Sequence, residues 1–247
     1  MLTGDPPEHG HALACPEPPA SPAGPAAYTA TVTYRTAPSA RLVALTIDDG
    51  PTGQWTPHVL RILQRRAAKA IFLMVGSRAR ADPAAVSRAT DSGHEVANHT
   101  RAQSDLTQPG EALDRASLER THELLTQLSG PAPTLCRPPY GRIDSVGLAV
   151  CPSLHHEVML WSDRVTDSNA RRRGRDPAAR LPGSIVFAHD GSPQPNATLM
   201  RQLDRLAKSM TDAGYTFVTV SELLAAGGQG YADGVPGRPP ADSRYCR

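Results

Sequence analysis

The apolar positions of this chain fall into short blocks separated by amphipathic stretches. Residues 41–47 (RLVALTI) and 70–75 (AIFLMV) are nearly unbroken apolar runs, the pattern of strands covered on both faces. Between them Val59, Ile62 and Leu63 recur at helical spacing. A further helix opens near Pro83 and closes at Gly93, which suits the position just past a helix end. HEVAN (94–98) reads as the third buried strand, and EALDRASLERTHELLTQLSG (111–130) as a long amphipathic helix closed by Gly130. TLC (134–136), EVMLW (157–161), SIVFA (184–188) and YTFV (215–218) supply further strands, with helix or loop between them. Upstream, YTATVTYRT (28–36) alternates instead, as an edge strand or hairpin arm would. About seven β/α units therefore lie between Leu42 and Leu224, which predicts an α/β fold built on a mostly parallel sheet or barrel.

Composition narrows the class. The length of 247 residues suits one large α/β domain with tails. We divide it into a Pro/Ala-rich N-terminal arm that would include the edge strand (1–37), the domain itself (38–226), and a Gly/Pro-rich C-terminal tail (227–247). Lys and Arg total 26 against 24 Asp and Glu, so a net charge of +2 gives no electrostatic argument for nucleic acid or an anionic membrane. Aromatic residues make up only 4%, too few for a base-stacking platform. No apolar run approaches the roughly 20 residues of a membrane span. The expectation is a monomer with no nucleic-acid partner and no membrane span. The first residues lack a basic start followed by an apolar stretch, so they do not read as an intact signal peptide.

The four cysteines are Cys15, Cys136, Cys151 and Cys246, with no Cys-x-x-Cys pair, which argues against a structural zinc knuckle. Pairing Cys15 with Cys246 would tie both tails to the domain. That usage favours an oxidising, secreted or extracytoplasmic location over a cytoplasmic one with four free thiols. Cys136 and Cys151 are the other candidate pair, which geometry must decide.

Active groups of parallel β/α folds gather where strands end. The first strand runs into Asp48 and Asp49, two adjacent carboxylates that repel and need a compensating charge if buried. The third strand ends in NHTRAQSD, presenting His99, and the fourth in CRPPYG, presenting Arg137 and Tyr140. WSDRVTD follows the fifth, with Asp163 and Asp167, and the sixth ends in AHDG, presenting His189. Each is weak alone, but together they make one chemical set on one rim.

The motifs TIDDGP, HT after GHEVAN, RPPYG and HDG after GSIVFA, in this order, resemble those of polysaccharide deacetylases of the NodB-homology type, carbohydrate esterase family four. The similarity covers roughly residues 42–224. It implies an irregular (β/α) barrel of about seven parallel strands that removes N- or O-acetyl groups from a carbohydrate, using one divalent metal, most often zinc. By the same resemblance Asp48 would be the general base and His189 the general acid. Asp49 and His99 would bind metal, Arg137 would orient Asp48, Asp167 would hold Arg137, and the Tyr140 backbone N–H would help bind the oxyanion. The chemistry is coherent. A cation polarises an amide carbonyl and acidifies water, a carboxylate takes the proton, and an imidazole returns one to the leaving nitrogen.

The chain departs from the family pattern at two motifs. Gln103 stands where a second metal-binding histidine is usual, four residues after His99, a spacing that a helical turn would place on one face. A carboxamide oxygen is a weaker zinc donor than imidazole. The site would therefore bind metal more loosely through Gln103, recruit Asp105, or work without metal. Ser168 replaces an aromatic residue that often follows the aspartate matched by Asp167, and Arg101 stands at a position often aromatic. Two other functions stay open: a deacylase of a small acylated metabolite, and a catalytically degenerate glycan-binding module.

Overall fold

In the computed structural model the described residues are 32–107, 111–165, 182–191 and 197–227. They form one curled, nine-stranded sheet in the order β1-β6-β5-β4-β3-β2-β8-β7, with β9 also pairing β2. The strands are β1 (Val32–Thr33), β2 (Leu42–Gly50), β3 (Ile71–Met74), β4 (Glu95–Asn98), β5 (Leu135–Cys136), β6 (Glu157–Met159), β7 (Asp163–Arg164), β8 (Ile185–His189) and β9 (Thr216–Val218). All pairings between these strands are parallel. The helices are α1 (Thr56–Arg65), α2 (Gly76–Ala81), α3 (Pro83–Asp91), α4 (Glu111–Ser129), α5 (Ser145–Ser153), α6 (Ala197–Asp212) and α7 (Val220–Gly227). This is a half-barrel of the (β/α) type expected.

The unbroken apolar runs have a direct cause. Successive strand residues point to opposite faces, and here both faces are covered. Val43, Leu45 and Ile47 of β2 pack outward against Val59, Ile62 and Leu63 of α1 and Leu203, Leu206 and Met210 of α6. Ala44 points inward with Ile71, Leu73, Ala97, Leu135, Met159 and Ile185, where Val220 and Leu223 of α7 close the interior. A third cluster joins Leu118 of α4, Cys136 of β5, Val150 and Cys151 of α5, and Val158 of β6. Local signals agree with the packing. Asp82 caps α3 by accepting the Ala85 N–H ahead of Pro83, and Gly93 takes a left-handed φ of 79° just past its end.

Three elements differ from the sequence reading. Of the alternating N-terminal segment, Val32–Thr33 form an edge strand, which pairs in parallel with β6 rather than forming a hairpin, and residues 28–31 lie outside the described residues. The strand expected over 157–161 stops at Met159. Asp163 and Arg164, read as loop, form β7 against β8, because the exposed edge of β8 offers backbone partners that no local pattern announces. Among the described residues no helix is long and apolar enough to cross a membrane.

Register assembles the rim. Asp48 lies beside His189 across β2 and β8 and beside Leu73 across β2 and β3. Met74 pairs with Asn98, and Asn98 with Cys136, so His99 and Arg137 emerge side by side one residue further on.

Candidate active site

Arg137 is the largest fully buried side chain among the described residues. One Nη1 donates to Asp48 Oδ1 at 2.6 Å and to Thr46 Oγ1 at 2.7 Å. Nη2 donates to the Leu160 carbonyl at 2.7 Å and Nε to the Met159 carbonyl at 3.4 Å. The guanidinium also lies 5.6 Å from the Trp161 ring centroid. Burial alone would lower the Arg137 pKa, and the Asp48 carboxylate opposes that loss. Arg137 therefore supplies the compensating charge that Asp48 requires, with its planar fork oriented by two carbonyls.

Asp49 adopts a left-handed φ of 70°, where the β2–β3 register is interrupted between Asp48 and Gly50. The backbone here is held closely. A Cβ on Gly191 would fall 1.8 Å from the Asp49 carbonyl oxygen, and one on Gly50 would fall 2.4 Å from Asp190 Oδ1. Arg78 of α2 donates to the Asp49 carbonyl and, at 2.5 Å, to that of Gly191. The DDG and HDG segments are thus two halves of one interlocked turn, and glycine is required where the halves touch.

His99 Nδ1 lies 2.8 Å from the Arg137 carbonyl oxygen. That oxygen only accepts, so Nδ1 carries the hydrogen. Nε2 then faces Asp49 Oδ1 at 3.2 Å. A neutral imidazole would set its lone pair against a carboxylate, so the contact needs a proton or a cation between the two atoms. Gln103 Nε2 donates to the same Oδ1 at 2.6 Å. Burial pushes the Asp49 pKa up, but the His99 hydrogen bond and the charges of His99, His189 and Arg78 outweigh it and hold the carboxyl below its usual value.

Asp49, His99 and Gln103 therefore converge as the sequence suggested, but not by way of a helical turn. Thr100 and Gln103 take left-handed φ values of 62° and 58°. The turn is pinned by Asn98 Oδ1, which accepts the Thr100 N–H, by Ser117 Oγ, which accepts the Arg101 N–H, and by Thr100 Oγ1, which accepts the Ser104 N–H. Asp105, the substitute ligand considered above, is engaged elsewhere: it pairs with Arg142 at 3.0 Å and accepts from Thr107. Among the described residues no group of three or more His, Cys, Asp or Glu side chains is placed to hold a metal. Asp49, His99 and Gln103 instead offer a carboxylate, an imidazole and a carboxamide. These three side chains, meeting on one carboxylate oxygen, fit a divalent cation once the Gln103 amide turns its oxygen inward.

His189 is half-buried at the end of β8, edge-on to Phe187 with ring centroids 4.8 Å apart. Tyr140 sits in the short turn Pro139–Gly141 with a φ of 61°, its side chain 46% exposed. Asp167 and Ser168 lie outside the described residues, as do Cys15 and Cys246. Arg101 is exposed.

Three residues not singled out from the sequence belong to the site. Arg78 clamps the Asp49 turn. Arg164 stacks over Trp161 and Phe187, 5.5 and 5.1 Å from their centroids. Asp190 is fully buried. Its Oδ2 accepts from Thr56 Oγ1, its N–H donates to the Asp48 carbonyl, and its Oδ1 has no hydrogen-bond partner. Burial and the charges of Asp49 and Asp48 push its pKa up to about 7. The DG after His189 was the available signal, since an acid and a glycine beside a strand-end histidine were both visible there.

The fold is a (β/α) half-barrel with carboxylates, imidazoles and a guanidinium gathered on one rim. The polysaccharide deacetylase family model matches residues 35–158, and the chain belongs to that family. It is 30% identical over 186 residues to a peptidoglycan-N-acetylglucosamine deacetylase of Bacillus cereus, covering 74% of this chain and 68% of that one. Several longer relatives of similar description are spanned to only 38% of their length. A solved peptidoglycan N-acetylglucosamine deacetylase structure superposes with a TM-score of 0.72 at 27% identity, covering 80% of this chain and 94% of that one. A family 4 acetyl xylan esterase from Clostridium thermocellum, solved with a cobalt ion, gives 0.66 at 29% identity, covering 74% and 90%.

Proposed function

We propose that this protein is a metal-dependent deacetylase of an N-acetylated glycan, of which peptidoglycan-type N-acetylglucosamine chains are the best-supported class. The observation that carries the reading is the contact of His99 Nε2 and Gln103 with a single oxygen of Asp49, beside an Asp48 already neutralised by Arg137. Asp49, His99 and Gln103 would hold the cation, zinc being the expected ion. When bound, it would polarise the acetyl carbonyl and make water a better nucleophile.

The remaining work falls to the chain itself. Asp48 takes the proton of the attacking water. Arg137 aims Asp48, since it binds one carboxylate oxygen and leaves the other for that task. The Tyr140 N–H stabilises the oxyanion. His189 gives a proton to the departing amine, a role supported by its position beside Asp48 in the strand register. Asp167 would add support to Arg137. The protein would act as a monomer in an extracytoplasmic, oxidising setting, where such glycans are met.

A second reading has one observation in its favour. The Gln103 N–H that rests on Asp49 could satisfy that carboxylate without a metal, as a metal-independent deacylase of a small acylated metabolite would need. Acetate release from N-acetylglucosamine oligomers, measured with and without chelator, separates the two. The first reading expects activity that is lost on chelation and restored by zinc or cobalt. It also expects Asp48→Asn to lose about 10²–10⁴-fold in kcat while keeping its metal. Activity that persists through complete metal removal favours the second. A protein that binds the oligomers and releases no acetate would be a glycan-binding module, and both catalytic readings would fall.

A further inference from the structure

Cys136 ends β5, immediately before Arg137, and Cys151 lies in α5, 15 positions on. Both are buried, at 1% and 0% exposure, in the apolar cluster of Leu106, Leu118, Val150 and Val158. Their sulfurs are 2.9 Å apart, and each thiol is otherwise free. Two thiols gain little from each other as hydrogen-bond partners, because S–H is a weak donor and sulfur a weak acceptor. A covalent S–S bond is about 2.05 Å long, so a small rotation of either side chain closes the gap.

We propose that Cys136 and Cys151 form a disulfide that staples the base of the loop 137–150. That loop carries Arg137, Tyr140 and the turn between them, and it packs through Gly147 on Ile143 and Leu106. The proposal stands on the geometry of the two sulfurs and does not depend on the deacetylase reading.

The chemistry balances as thiol–disulfide exchange with a small-molecule or protein disulfide as oxidant. One cysteine thiolate attacks that disulfide, forming a mixed disulfide and releasing one thiol. The second thiolate attacks the protein sulfur of the mixed disulfide and expels the other thiol. The two cysteines lose two protons and two electrons in all, and the oxidant leaves as two thiols. The hydrogen bond that Cys136 donates to Cys151, together with burial, raises the Cys136 pKa well above its ordinary value. Both sulfurs are buried in the folded protein, so an outside disulfide reaches them during folding, before the cluster closes.

The test refolds the full-length chain from denaturant in a glutathione redox buffer, blocks remaining thiols, and digests it with trypsin without reduction. Cleavage after Arg120, Arg142 and Arg164 places the two cysteines in different peptides, 121–142 and 143–164. The expected result is a single cross-linked species of these two peptides, lighter by two hydrogens than their sum and split by reductant. Oxidised protein should melt about 6–12 °C above reduced protein, the value for a loop of this length. Amide exchange in residues 138–150 should slow while β3 and α6 are unchanged. Cys151→Ala should lose the roughly 6–12 °C that this bond contributes to the redox dependence of melting. Recovery of both peptides fully alkylated overturns the proposal, as does a cross-link from either cysteine to Cys15 or Cys246. The mapping is done on the wild-type chain, so it does not depend on the variant folding.

Discussion

Replacing Arg137 with methionine keeps much of the side-chain volume and removes the charge. The Asp48 carboxylate then loses its partner at 2.6 Å in a site where it is only 3% exposed. The Leu160 and Met159 carbonyls lose their donors in the same step. Breaking a buried ion pair from one side costs about 3–5 kcal/mol, because the surviving charge has neither water nor a counterion. The two stripped carbonyls push the value towards the upper end. For a domain of this size that corresponds to a fall in Tm of about 6–20 °C. The double variant Arg137→Met, Asp48→Asn has no buried charge to strand, so its cost should be well below the sum of the two single changes. The assay is urea unfolding followed by circular dichroism on all four proteins, in chelator so that metal linkage does not enter. A loss under about 1 kcal/mol for Arg137→Met, or strict additivity in the cycle, would refute the claim that this ion pair anchors the rim.

Gln103→His should tighten zinc binding about tenfold or more in a chelator competition, because imidazole is the better donor to that ion. Unchanged affinity would mean that residue 103 does not reach the metal. Asp190→Asn tests the buried acid. With a folded pKa of about 7 against an unfolded value of about 3.9, the folded state holds the extra proton in that window. Stability contributed by Asp190 is complete below pH 4, is lost as pH rises towards 7, and is flat above. The total is about 4 kcal/mol as an upper bound. Urea midpoints of metal-free protein at pH 4.5, 6 and 7.5 should show this slope in the wild type and a shallower one in Asp190→Asn; identical slopes would dismiss the assignment.

Much of this protein is local in origin. The alternation of apolar runs with amphipathic helices is visible along the chain because the central strands are covered on both faces and the helices on one. The strand-end residues Asp48, Asp49, His99, Arg137 and His189 are legible for the same reason: polar groups directly after a buried strand must emerge at the sheet's C-terminal edge. What stays hidden depends on partners distant in sequence. β7 exists only because β8 offers an open edge. Gln103 reaches Asp49 through left-handed turns held by Ser117, which lies 16 residues from the Arg101 N–H it binds, and no helical period encodes that. Asp190 is an ordinary acid in the sequence, and it becomes a proton-holding one because Gly50, Thr56, Asp48 and Asp49 close around it. The chain's own order of residues determined the elements and the chemistry available at their ends. Tertiary packing decided which charges are paired and which cysteines face each other, because burial and Coulomb interactions depend on distances in space rather than along the chain.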